Sequence, residues 1–167
     1  MKKIKYLFIL LAVTAIVSCS ASQTGKADKA GKKQEKANAV QQKIQEQNFV
    51  FEAQQAIPMG MKNRILTGDN YTVKVTKDSV DVYLPYFGRA YSAPIGESEG
   101  GIKFISTDFD YKADKQTKNG WNITINVKSE PKHNYRLSFS ISSSGSATLT
   151  VNDNTRQSIT FHGKLSD

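Results

Sequence analysis

From Phe49 onward, apolar residues recur at every second position. Phe49, Phe51 and Ala53 alternate with Val50, Glu52 and Gln54, and Tyr71, Val73 and Val75 alternate with Thr72, Lys74 and Thr76. The same period runs through Val80, Val82 and Leu84, then Trp121, Ile123, Ile125 and Val127, then Tyr135, Leu137, Phe139 and Ile141. It ends with Ala147, Leu149 and Val151, and with Ile159 and Phe161. Alternation of this kind marks strands with one buried face. Lys77-Asp78, Lys118-Asn119-Gly120, Ser143-Ser144-Gly145 and Asp153-Asn154 carry turn chemistry between the runs. A stretch over Gly101–Lys112 supplies one further strand. Short turns make sequential strands antiparallel neighbours. The predicted fold class is therefore all-β, with about eight antiparallel strands in a meander. A lipocalin-like small barrel buries the apolar face and removes the sheet edges; a β-sandwich is the alternative.

The period changes before Phe49. Ala37, Val40 and Ile44 sit at i, i+3 and i+7 among good helix formers, so residues 37–48 are predicted as a short helical lead-in. Residues 20–36 contain no large apolar side chain and read as a flexible, basic linker. The chain opens with Lys2, Lys3 and Lys5, followed by the apolar run Tyr6–Val17. That run suits a signal peptide and falls short of the roughly 20 apolar residues of a membrane span. It ends in Ile16-Val17-Ser18-Cys19, which resembles the bacterial lipobox. The resemblance implies cleavage after Ser18 and lipid attachment at Cys19, giving a signal peptide over 1–18 and a lipidated cysteine heading the linker over 19–36. Cys19 is the sole cysteine, so the domain over 49–167 contains no disulfide.

Charge changes the picture only once it is partitioned. The net +8 divides into +3 in the signal peptide, +3 over residues 20–48 and +2 over residues 49–167. A nucleic-acid partner needs a basic stripe on the folded domain, and this domain is nearly neutral. The membrane, reached through the lipid anchor, is the partner these charges and Cys19 imply.

Four segments together resemble a known family. They are Leu84-Pro85-Tyr86-Phe87-Gly88-Arg89-Ala90-Tyr91, Gly101-Ile102-Lys103-Phe104, Gly120-Trp121-Asn122-Ile123, and Arg156-Gln157-Ser158-Ile159-Thr160-Phe161-His162-Gly163. They resemble the domain-of-unknown-function family 4251, small exported and lipoprotein-like chains of the Bacteroidota. The resemblance spans about residues 46–166 and implies a fold and a compartment. Gln157-Ser158 stands where family members often have Gln-Pro. No catalytic residue comes with the resemblance.

Catalytic and metal chemistry find little purchase in this sequence. His133 and His162 lack a second ligand at metal spacing, and no serine sits in a Gly-x-Ser-x-Gly elbow. Asp108 and Asp110 share a strand face, and Asn152-Asp153-Asn154 reads as a turn; outward, solvated positions account for both. No catalytic residue, metal or cofactor is assigned. The segment that stands apart is Tyr83–Tyr91. Tyr86, Phe87, Arg89 and Tyr91 combine the residue types that recognition surfaces favour, and Gly88 permits a bend among them. The reading is a membrane-anchored cell-envelope lipoprotein that acts as a non-catalytic binding or accessory protein for a small apolar ligand or an envelope protein. An envelope hydrolase and a structural envelope-assembly protein are the alternatives. Surface-exported lipoproteins of the resembling lineage often carry an acidic cluster just after the cysteine; none follows Cys19, so the resemblance implies a lipid-anchored protein, placed on the outer membrane, that faces the periplasm.

Overall fold

The computed structural model describes residues 24–68, 70–91, 101–116, 120–128 and 134–166. The signal peptide, Cys19, His133, the Lys118-Asn119 turn and the Gly96–Gly100 loop lie outside the described residues. The chain divides into two units, residues 1–34 and residues 35–167; of the first, the described part is helical. No described helix is long and apolar enough to cross a membrane.

Helix α1 spans Thr24–Gln45. It starts thirteen residues earlier than the sequence suggested, so Thr24–Lys36 is helical where a linker was expected. A lack of large apolar residues rules out a buried face but not a helix. Lys, Gln, Ala and Glu have high helix propensity, and propagation from an anchored end avoids the cost of a fresh nucleus. The helix ends where Asn48 N–H donates to Lys43 O at 2.9 Å and Gln47 N–H donates to Ile44 O at 3.2 Å. This is a Schellman closure, with Gln47 at φ 51° in the left-handed position usually given to glycine.

Ten strands follow. They are β1 (Phe49–Pro58), β2 (Arg64–Ile65), β3 (Thr72–Val75), β4 (Val80–Leu84), β5 (Ile102–Ser106), β6 (Phe109–Gln116), β7 (Gly120–Val127), β8 (Arg136–Ser142), β9 (Ser146–Asn152) and β10 (Ile159–Leu165). They form one antiparallel sheet in the order β5-β4-β3-β1-β10-β9-β8-β7-β6, with β2 beside β1. The sheet curls into a nearly closed barrel. The predicted all-β barrel is thus the fold.

The strand count exceeds the prediction for two reasons. β2 is only two residues long and exposed, below the length at which alternation is visible. The run read as one strand over Gly101–Lys112 is two, β5 and β6, separated by Thr107 and Asp108. These consecutive strands stand at opposite ends of the sheet path. Eight antiparallel steps separate them, so both run in the same direction. The chain does not turn back at Thr107. It leaves β4 and continues along β7, joining the two ends of the sheet. Ser106 is 1% exposed. Its hydroxyl donates to Asp108 O at 3.1 Å and accepts from Asp108 N–H at 3.3 Å. Lys128 N–H donates to the same Asp108 carbonyl at 2.9 Å, tying the corner to the end of β7.

A second bend lies in β1. Phe49, Phe51 and Ala53 are buried, but beyond Gln54 the buried positions become Ala56 and Pro58. A bulge between Ala53 and Gln55 shifts the register against β10 by one residue and reverses the inward phase. Gly163 faces this bulge. A Cβ there would run into the carbonyl oxygen of Glu52 and the ring of Phe51, so only glycine lets the strands approach.

Side chains fill the barrel. Phe51, Phe161, Ile125, Leu137 and Leu149 are fully buried. Phe139 meets Phe49 and Phe51 edge to face at 5.8 and 5.7 Å. Trp121 lies on the same side of β7 as Ile123 but at the strand's end. It is only half-buried, with Lys115 Nζ 5.9 Å from its ring centre. Its parity alone would put it on the buried face with Ile123 and Ile125. Val40 and Ile44 from the last turns of α1 join the core. Lys43 Nζ donates to Ser166 O at 2.7 Å, and Tyr111 Oη on β6 donates to Ile44 O at 3.0 Å.

Burial pushes the Tyr111 phenol up to about 12 from its ordinary value near 10. The folded state therefore favours the neutral phenol. Its contribution is complete below about pH 10 and is lost as pH rises from there through about 12. We expect helix α1 to release in that window. NMR of ¹³C-labelled tyrosine, compared with Tyr111→Phe, checks this: the late-titrating signal and the alkaline loss of helix should vanish together. Near neutrality Tyr111→Phe should cost about 1 kcal/mol, the net worth of one hydrogen bond.

Candidate functional site

The segment after β4 does not extend the sheet. Pro85 is buried and has no N–H to donate to a ladder, and the chain bends outward. Tyr86 folds back over Gly88. A Cβ on Gly88 would lie 2.6 Å from the Tyr86 hydroxyl oxygen, so glycine is needed here for the space it leaves. That hydroxyl lies 3.0 Å from Arg89 O and 3.1 Å from Gln157 O, sharing its proton between the two carbonyls. Burial raises the Tyr86 pKa above the ordinary tyrosine value.

The bend is zipped to the chain entering β10. Ala90 forms an isolated antiparallel bridge with Arg156. Gln157 N–H donates to Arg89 O at 3.1 Å and Tyr91 N–H to Thr155 O at 2.8 Å. Beneath the zipper lies a buried ion pair. Arg156 Nε is 3.8 Å from Asp153 Oδ2, with the two side chains 7% and 5% exposed. Arg156 Nη1 donates to Gly101 O at 3.1 Å, and its guanidinium carbon stands 5.3 Å from the Tyr86 ring centre. The Asp153 carboxylate accepts the Thr155 hydroxyl at 2.7 Å and the Thr155 N–H at 3.2 Å. A buried pair is tolerated when further hydrogen bonds complete both partners, and these contacts do so.

The four sequence-chosen residues therefore separate. Tyr86 is an internal strut. Phe87 is half-buried, with the Arg64 guanidinium 4.5 Å above its ring. Arg89 and Tyr91 face solvent, Tyr91 being 70% exposed. The buried arginine is Arg156, which no hydrophobic pattern marks; its only sequence signal was its place in the family-like segment Arg156–Gly163.

A second feature lies next to Asp153. Asp110, Asn126, Arg136 and Asn152 are register partners across β6, β7, β8 and β9. They make a polar row on the outer face, at the floor of an open depression of about 530 Å³. Arg136 Nε donates to Asn126 Oδ1 at 3.0 Å. Asn134 N–H donates to Asn154 Oδ1 at 3.0 Å, closing one end. Lys128 Nζ contacts the Asp110 carboxylate at 2.9 Å, and that hydrogen bond raises the lysine's pKa. Asp108 sits in the corner before β6, and its charge adds to that of Asp110 in raising the Lys128 pKa. Among the described residues no group of three His, Cys, Asp or Glu side chains gathers as a metal site. His162 is exposed on β10.

A family profile described as a domain of unknown function, DUF4251, matches residues 31–165. The chain belongs to the DUF4251 family. Both the bend and the polar row lie within the matched span. The crystal structure of a DUF4251 family protein from Bacteroides eggerthii superposes with a TM-score of 0.61 at 21% identity, covering 78% of this chain and 86% of that one. At that identity the likeness concerns the fold. No curated protein matches the chain.

The geometry of this DUF4251 domain sets opposite fates for Arg156 and Arg89. Arg156→Ala leaves Asp153 buried and unpaired and should cost about 3–5 kcal/mol. Arg89→Ala removes an exposed side chain and should stay within about 0.5 kcal/mol. Trp121→Ala, at a half-buried site, should fall between them. Denaturant melts of the three single mutants check the order, and an Arg89→Ala melt as damaged as that of Arg156→Ala would contradict it.

Proposed function

We propose that this chain is a lipid-anchored protein of the bacterial cell envelope, a non-catalytic binding or accessory module that engages a protein partner through Arg89 and Tyr91. The observation that carries the reading is the contrast between those side chains and their support. A buried ion pair, a shared tyrosine hydroxyl and two backbone hydrogen bonds fix a bend whose outermost side chains are an arginine and a tyrosine. Recognition anchors gain from being rigid before contact, because less side-chain and loop entropy is lost on binding. An apolar ligand inside the barrel is the less favoured occupant, since Phe49, Phe51 and Phe139 pack against each other there. The anchoring half rests on the lipobox-like Ile16–Cys19 and the signal-peptide pattern before it. The compartment follows from the residues after Cys19, which lack an acidic cluster.

One experiment in cells tests both halves. A benzophenone-bearing residue in place of Tyr91 should give one discrete crosslinked adduct, lost when Arg89→Glu is added. The same group in place of Lys77, in the β3–β4 turn, should give none. Cys19→Ala should move the protein to the soluble envelope fraction with its melting unchanged. Identical adducts from positions 91 and 77 would remove the recognition surface. Unchanged membrane association of Cys19→Ala would remove the anchor.

A further inference from the structure

The polar depression on β6–β9 has a composition that selects its ligand. Its floor is the register row Asp110, Asn126, Arg136 and Asn152, and its rim carries Asn134 and Asn154. A volume of about 530 Å³ is that of a small-molecule site. Val127 and Tyr135 contribute apolar surface to it, and its polar groups are carboxamides, a guanidinium and the carboxylates of Asp110 and Asp153. A carboxamide offers a donor and an acceptor side by side, the guanidinium offers only donors, and the carboxylate only acceptors. Hydroxyl groups both donate and accept, so adjacent hydroxyls on one ring match this alternation.

Charge narrows the choice. Asp110 is paired with Lys128 and Asp153 with Arg156, so the depression holds no uncompensated negative cluster for a cation. An anion drawn to Arg136 would lie beside Asp110 and Asp153, which line the same space. An extended peptide binds by its backbone at a sheet edge. On β7, β8 and β9 neighbouring strands already take the backbone groups, and the edge strand β6 contributes only Asp110 to the lining. The field continues uncharged across β7–β10. Thr124, Ser138, Thr150 and Thr160 form the next row, and Asn122, Ser140, Thr148 and His162 the one after. Protein surfaces are ordinarily about a quarter to a third charged, yet from β7 to β10 neither row carries a lysine, arginine or carboxylate; on β6 the rows end in Lys112 and Asp114, which pair with each other. Strands stand about 4.8 Å apart, so the rows form a shallow, hydroxyl-rich plane leading out of the depression.

We propose that this depression is a carbohydrate-binding subsite for a neutral oligosaccharide, with Asn126, Arg136 and Asn152 holding ring hydroxyls and the threonine and serine rows carrying the rest of the sugar chain. Asp153 connects it to the bend, since the same turn lines the depression and carries the carboxylate that pairs with Arg156. The sugar site does not depend on what Arg89 and Tyr91 contact.

Saturation-transfer NMR on the full chain in detergent micelles tests this with tetrasaccharides of N-acetylglucosamine, glucose and mannose, and with tetragalacturonate as an anionic control. At least one neutral tetrasaccharide should receive saturation. Asn126→Ala and Asn152→Ala should each weaken its affinity fivefold or more while melting as the parent does, and Arg89→Ala should leave it unchanged. No transfer to any neutral tetrasaccharide would overturn the proposal, as would binding that survives both asparagine substitutions. A preference for tetragalacturonate that disappears with Arg136→Met would make it an anion site instead.

Discussion

The barrel depends on a constraint of connectivity. β5 and β6 terminate the sheet path at opposite ends, yet only Thr107 and Asp108 separate them in sequence. The two ends of the sheet cannot move far apart without breaking the Ser106–Asp108 corner. An open sheet of this kind would expose two edges and half its apolar face, a template for aggregation. The bulge at Gln54, admitted by Gly163, supplies the second bend that a small closed barrel needs. Val40 and Ile44 from helix α1 complete the core, and Tyr111 and Lys43 tie that helical end to β6 and to the chain after β10.

Period-two alternation was readable wherever a strand has one dry face and one wet face, which covers β1, β3, β4 and β7–β10. It failed where the chain departs from that condition. Over Ile102–Ala113 the apolar parity passes from Ile102 and Phe104 to Phe109, Tyr111 and Ala113, and reading that run as one strand overlooked this change of phase at Thr107-Asp108. The bulge in β1 reverses the inward phase after Ala53, which a strict period of two treats as the end of a strand. Helix α1 begins at Thr24 because its residue types favour a helix even without an apolar stripe. Trp121 has the parity of a core residue, but parity says nothing about its place at the end of a strand.

The candidate site was partly legible for related reasons. Exposed recognition types stand out by composition, so Arg89 and Tyr91 could be singled out, and the structure leaves both side chains exposed. The support beneath them was not, because Arg156 and Asp153 are buried through pairing and so follow no hydrophobic period. The polar row across β6–β9 was invisible for a different reason. Asp110, Asn126, Arg136 and Asn152 come from four separate strands, and only register brings them into line. Direct antiparallel pairing of these consecutive strands sets that register, and the turn between β9 and β10, through Asp153, touches both surface features.

Lengthening the corner tests closure most directly. Three glycines inserted between Thr107 and Asp108 would cost about 1 kcal/mol or less if the segment were an ordinary loop, because closure entropy grows slowly with length. If the corner itself closes the barrel, the insertion strands the buried Ser106 hydroxyl and loosens β5. The loss should then be at least about 2 kcal/mol, with β5 amides exchanging their hydrogens far faster than those of β8 and β9. A loss within the entropic figure, with β5 still protected, would contradict the account.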